Sequence, residues 1–186
     1  MMHSSTALLR KIFLLLCAIA GIAAVAVSQT QDQPKRGPST PEERKRFLAI
    51  AQKMEQNPLD PNLRKERDWA VHWIIDIPDI NVNPCPELLG NFMESHYRYK
   101  AEINGQAAFS MAAFMIEHPD KTGDIVATNT AALEGALKAY RSILRIEPTA
   151  QSQFMEALAD QESEGKLTQY VRELVKRGCE NGDEQG

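Results

Sequence analysis

From Ile103 to Ile116 the chain carries no charged side chain, and Gly105, Ala107, Ala108, Phe109, Met111, Ala112, Ala113, Phe114, Met115 and Ile116 leave almost no polar face. A helix that is apolar all round belongs in a core. Its 14 residues span about 21 Å, too short to cross a bilayer but enough for a rod surrounded by other helices. The stretch of about 103–117 is therefore expected to be the buried central helix of an all-α bundle of six to seven short helices. Its alanines and glycine would let neighbours approach, and its Phe and Met would fill the gaps between them.

The flanking segments repeat helical spacing. Thr40, Pro41 and Glu43 make a capping box, followed by the stripe Phe47, Ile50, Ala51 and Met54. Asp60-Pro61 opens a second helix that Pro78 stops, with Leu63, Ala70, Trp73, Ile74 and Ile77 on one face. Ile77 to Pro86 holds three prolines and reads as a loop, with room for a short extended piece at Ile80 to Val82. A third helix can start at Pro86 and carry Leu88, Leu89, Phe92 and Met93. After the central helix, Asp120 or Thr122 is the expected cap of the next one, Pro148 the start of a sixth, and Gly165 the break before the last. Lys176 and Arg177 suit the negative end of that last helix, with Gly178 in a left-handed position beyond it.

One periodic run suggests interaction. Val126, Thr130, Leu133, Leu137, Tyr140 and Leu144 are spaced by fours and threes, which makes a seam for another helix. That helix could belong to this chain, to a partner or to a second copy. The stretch from Ala136 through Tyr140 to Pro148, with alanine, an aromatic four later and proline eight after that, resembles the second helix of a tetratricopeptide repeat. The resemblance covers about 13 residues and no 34-residue period recurs, so it implies helix-hairpin packing and not a solenoid.

Arg10 and Lys11 precede an uncharged run from Ile12 to Val27 that ends in Ala26-Val27-Ser28. Basic residues, an apolar stretch and a small-x-small site are the parts of a secretory signal, residues 1–28. Residues 29–39 are then a polar linker, 40–179 a single helical domain and 180–186 an acidic tail. Export implies a periplasmic or extracellular setting. Contact with a membrane arises only through an uncleaved signal.

The mature chain keeps Cys85 and Cys179, which an oxidising compartment would pair. It carries 19 basic side chains against 25 acidic ones, a net of −6, which argues against nucleic acid as a partner because phosphate binding needs a basic surface. No HExxH, GxSxG, phosphate-cradling glycine loop or EF-hand spacing occurs, so no cofactor and no catalytic residue is expected. The one constellation with metal-ligand chemistry is Asp68, His72 and Asp76, four apart on one side of the second helix. A solvated amphipathic face has the same pattern.

These readings converge on a small exported protein with a non-enzymatic binding or protein-interaction role. A hydrophobic-ligand or client-binding envelope protein is the alternative, and a metal-dependent hydrolase stands behind both. Cleavage after Ser28 predicts a mature N-terminus at Gln29, read by intact mass of the protein recovered from the envelope fraction. A mass that retains residues 1–28 would mean an anchored form.

Overall fold

The computed structural model describes residues 36–179, with Cys179 by its backbone alone; the signal segment, residues 29–35 of the linker and the tail lie outside the described residues. Among the described residues six α-helices follow one another: α1 Pro41–Gln56, α2 Arg64–Asp76, α3 Lys100–Glu117, α4 Ile125–Ile146, α5 Gln153–Ser163 and α6 Leu167–Leu174. Short 3-10 turns at Pro61–Leu63, Pro86–Leu88, Gly90–Phe92 and Pro119–Lys121 join them, and α6 runs on into a π-type turn, Val175–Cys179. Among the described residues there is no strand, and the chain is all-α.

Local chemistry sets most of the boundaries. Glu43 N–H donates to Thr40 Oγ1 at 3.2 Å and Thr40 N–H donates to Glu43 Oε2 at 3.0 Å, which closes the capping box of α1. The Glu43 carboxyl is held below its ordinary value, first of all by that Thr40 N–H. Other starts differ from expectation. Pro119 directs the chain into a 3-10 turn, so the cap of α4 is Asp124, whose Oδ1 accepts from Ala127 N–H at 2.9 Å, and not Asp120 or Thr122. Pro148 stays in the turn after α4, and Ser152 caps α5. The helix expected from Pro86 is two 3-10 turns instead, because Gly90 takes a φ of +31°, which a continuing α-helix does not allow. Gly178 is not left-handed; Gly90 and Gly165 are the positive-φ glycines among the described residues.

The centre of the bundle is α4, and not the 103–117 rod. Twelve of the 22 residues of α4 are buried, against seven of the 18 in α3, and α4 packs on α1, α3, α5 and α6. Along its middle its exposed side is the narrow charged stripe Glu134, Lys138, Arg141 and Arg145, and at its two ends Ile125 and Ile146 are 41% and 60% exposed. The physical reason lies in side-chain size. Ala and Gly on α3 present little apolar area, so leaving them half-open costs little, whereas Leu133, Leu137 and Ile143 each carry a full aliphatic group whose burial contributes roughly 1.5–3 kcal/mol. The close approach also comes from the other helix. A Cβ on Gly105 of α3 would meet nothing within 4 Å, but a Cβ on Gly135 of α4 would fall 1.7 Å from Ser110 Oγ and 2.3 Å from Ser110 Cβ.

Buried polar groups fix how the helices meet. Asn129 is fully buried, and its Oδ1 accepts from Cys85 N–H at 2.9 Å while its Nδ2 donates to Ile125 O at 2.8 Å. Ser142 Oγ lies 2.8 Å from Glu55 O and ties α4 to the end of α1. Phe47 stacks on Trp73 at 4.7 Å and meets Phe109 edge-on at 5.5 Å, joining α1 to α2 and α3.

The two glycines therefore respond oppositely to alanine. Gly105→Ala, in open space inside a helix, should stabilise by up to about 1 kcal/mol. Gly135→Ala should destabilise by about 1–3 kcal/mol through overpacking, and Ser110→Gly should recover part of that loss in the double mutant. Urea unfolding of the four variants checks this, and equal effects at the two glycines would contradict it.

Candidate functional site

The candidate metal trio does not assemble. Asp68, His72 and Asp76 all lie on the exposed face of α2, and His72 Nδ1 lies 2.7 Å from the backbone carbonyl of Asp68, one helical turn back. Among the described residues, no three His, Cys, Asp or Glu side chains are grouped closely enough to hold a metal ion.

The α4 seam is used inside the chain. Leu133 and Leu137 have no solvent exposure and Tyr140 has almost none, while Val126 and Leu144 pack partly buried against the same core. The reading of Val126, Leu133, Leu137, Tyr140 and Leu144 as a surface for a partner or a second copy is corrected accordingly: the partners are α3 and the helices beside it. The Tyr140 hydroxyl is also engaged, donating to Glu156 Oε1 at 2.5 Å and accepting from Ser152 N–H at 2.9 Å. Burial and the Glu156 carboxylate push its pKa up to about 12. The helix-hairpin resemblance is matched to this extent: α4 ends at Ile146, and Pro148 lies in the turn toward α5.

What stands open is the side of α2 away from α1. Val71 and Ile75, one turn apart on α2, are 39% and 73% exposed. Ile75 forms the rim of a groove of about 560 Å³ between α2, the Ile77 to Pro84 loop and α3, where Asn104 and Ala108 form the far wall. A separate, smaller apolar hollow of about 130 Å³ is lined by Val71, Gly105 and Phe109 among others. The missing bulk on α3 is what leaves room here. The loop wall alternates like an extended chain: Ile80 is buried and Val82 half-buried, while Asn81 and Asn83 face water. Among the described residues, the backbone N–H and C=O groups from Ile80 to Asn83 make no hydrogen bond. Sequence reasoning marked the Ile80 to Val82 piece but could not see the groove, because α2 reads as an ordinary amphipathic helix whose Val71 and Ile75 belong to neither face.

That loop is pinned at its start. Asp79 accepts from Ser39 N–H at 2.8 Å, from Ser39 Oγ at 2.7 Å and from the Arg44 guanidinium at 2.8 Å. These contacts also fix the end of the stretch read as linker, since Ser39 belongs to it. Partial burial alone would raise the Asp79 carboxyl, but the Ser39 and Arg44 donors outweigh it and hold the pKa at about 2.

A second concavity, about 520 Å³, opens between α1, α3 and α4 and is bordered by Glu55, Glu117, Glu134 and Lys138. Gln106, 3% exposed, is among its lining residues and also lines the hollow beside Val71. Its Nε2 donates to Ala51 O at 3.3 Å and to Ser110 Oγ at 3.0 Å, and its Oε1 is buried without a partner. Because a backbone carbonyl only accepts, the amide nitrogen must face Ala51, and the orphan is the acceptor.

The Asp79 clamp makes a signed prediction. A carboxyl whose folded pKa lies below its ordinary 3.8 contributes stability that is present above that value and is lost as pH falls toward about 2. Asp79→Asn should therefore lower Tm by a few degrees at neutral pH, and the gap to wild type should close between about pH 4 and pH 2; thermal melts across that range would contradict the clamp if the gap stayed constant. The chain matches no protein-family model, no curated protein and no solved structure.

Proposed function

We propose that this is an exported, non-enzymatic binding protein that takes an extended apolar segment of a client polypeptide in the groove beside α2. The observation that carries this reading is Ile75, 73% exposed at the rim of that groove. A single exposed aliphatic side chain is ordinary, but Ile75 stands one turn from exposed Val71 and beside a groove lined by Ile74, Ile77, Ile80 and Val82 together with Asn81 and Asn104, and contiguous apolar surface of this kind marks a face that another molecule covers. The unpaired N–H and C=O groups of Ile80 to Asn83 on the opposite wall suit main-chain pairing with an extended peptide, and alternate apolar side chains of that peptide would drop into the channel. Among the described residues no helix is long and apolar enough to cross a membrane.

The export reading rests on the signal-like order of residues 1–28. The Cys85–Cys179 bridge belongs to the same proposal. It is supported by the packing of the Pro86–Leu88 turn against the terminal turn, where a Cβ on Gly178 would fall 2.5 Å from Glu87 Cγ. A bridge closing a loop of about 94 residues contributes up to about 4–5 kcal/mol in the chain-entropy account.

Two measurements test the proposal. A fluorescein-labelled peptide of alternating leucine and serine should bind the folded protein saturably by fluorescence anisotropy, and Ile75→Asp should weaken it roughly tenfold or more, since burying one isoleucine contributes about 1.5–3 kcal/mol. No binding, or binding indifferent to Ile75→Asp, would overturn the groove. The bridge predicts that protein purified without reductant has no free thiol in residues 29–186 and loses Tm on reduction. Two titratable thiols in the folded protein would refute it.

A further inference from the structure

The hollow beside Val71 interrupts an otherwise close-packed bundle. Among the described residues α1 packs closely on both α2 and α3, but α2 and α3 do not pack closely on each other, and the hollow of about 130 Å³ lies in the gap between them. Its lining divides by exposure: Met54, Pro58 and Phe109 are buried and form the closed end, while Val71 is 39% exposed and Arg67 half-buried at the open end. Gly105 is half-buried as well, yet a Cβ on it would meet nothing within 4 Å, so no protein atom fills the space it faces. The Arg67 guanidinium is anchored, since its Nη2 donates to Pro58 O at 2.7 Å. Lining atoms with no neighbour on one side forgo dispersion contacts, and an apolar cavity of about 150 Å³ is large enough to take up benzene.

We propose that this hollow binds a small uncharged aromatic molecule, one ring with at most a short substituent. Its volume has room for one ring and not for two fused ones. The lining favours a ring over an aliphatic body of the same size: the Met54 thioether suits a ring edge, Phe109 offers a second ring to pack on, and the anchored Arg67 guanidinium attracts a ring face. Ionic ligands of either sign are disfavoured, because Arg67 and Glu102 on the border carry opposite charges and an ion would lose hydration against Met54 and Phe109. Ile75 and the Ile80 to Val82 wall take no part in this site, so it stands or fails independently of the peptide groove.

The test is a titration of the folded protein, methyl-labelled at methionine, with phenol, followed by NMR on the Met54 methyl group. A saturable shift with a Kd of about 1 mM is expected. Cyclohexanol, of similar size but without a ring face, should bind about threefold more weakly, and benzoate and benzylammonium at least about tenfold more weakly. Gly105→Leu, which places an aliphatic group in the open space, should abolish the shift and raise Tm. Gly105→Ala, the milder filling, should weaken phenol about threefold and keeps the test open if the leucine variant does not fold. Arg67→Met should reduce phenol to the level of cyclohexanol, and Ile75→Asp should leave it unchanged. No saturable shift at Met54, equal binding of phenol and cyclohexanol, tighter binding of either ion, or phenol binding indifferent to both Gly105 substitutions would each overturn the proposal.

Discussion

The contact between Gly135 and Ser110 decides the rest of this bundle. With no side chain at 135, α4 lies so close to α3 that any Cβ there would overlap the serine, and the two long helices form the most extensive packed pair among the described residues. Once they are joined, the remaining helices take the sides of α4 that are left: α1 across one flank, α5 and α6 across another. Interiors are packed to crystal density, so a pair this close admits little adjustment and acts as the template for what packs on it.

That arrangement separates structure from recognition. The large aliphatic groups in the middle of α4, Leu133, Leu137 and Ile143, are consumed inside, and the polar side chains placed among them, Asn129 and Ser142, tie the Cys85 loop and the end of α1 to the hub. While Ile103 and Phe109 of α3 are buried, the side of the same helix that carries Asn104 and Ala108 presents little bulk and forms a wall of the groove. α2 is attached chiefly through Ala70 and Trp73, so its other face remains available. Two of the concavities thus border α3, one lined by aliphatic side chains and two asparagines with free backbone beside it, the other bordered by Glu55, Glu117 and Glu134.

Much of the fold was legible in the residues themselves. Thr40 with Glu43, the spacing of Phe47 to Met54, the stop at Pro78 and the long α4 all follow from capping chemistry and helical period. Charge-free composition misled where size mattered: the 103–117 stretch reads as more apolar than α4, yet its small side chains made it the less buried of the two. The run Val126 to Leu144 was legible as a seam but not as an internal one, because periodicity fixes which face is apolar and not which chain covers it. The starts expected at Pro86 and Pro148 were missed for one reason, namely that proline permits a helix start without requiring it, and the cap expected at Asp120 or Thr122 lies at Asp124 because the Pro119–Lys121 turn comes first. Of the candidate sites, only the extended piece at Ile80 to Val82 left a trace in the sequence.

The central claim is that α4 is enclosed by its own chain and α2 is held by one side. Native-state hydrogen exchange of the folded protein measures this residue by residue. The account predicts that amides from Ala132 to Ile143 exchange only with the free energy of global unfolding, while those of α2 open at distinctly lower free energy. Amides in the middle of α4 that exchange by local opening as readily as those of α2 would contradict it.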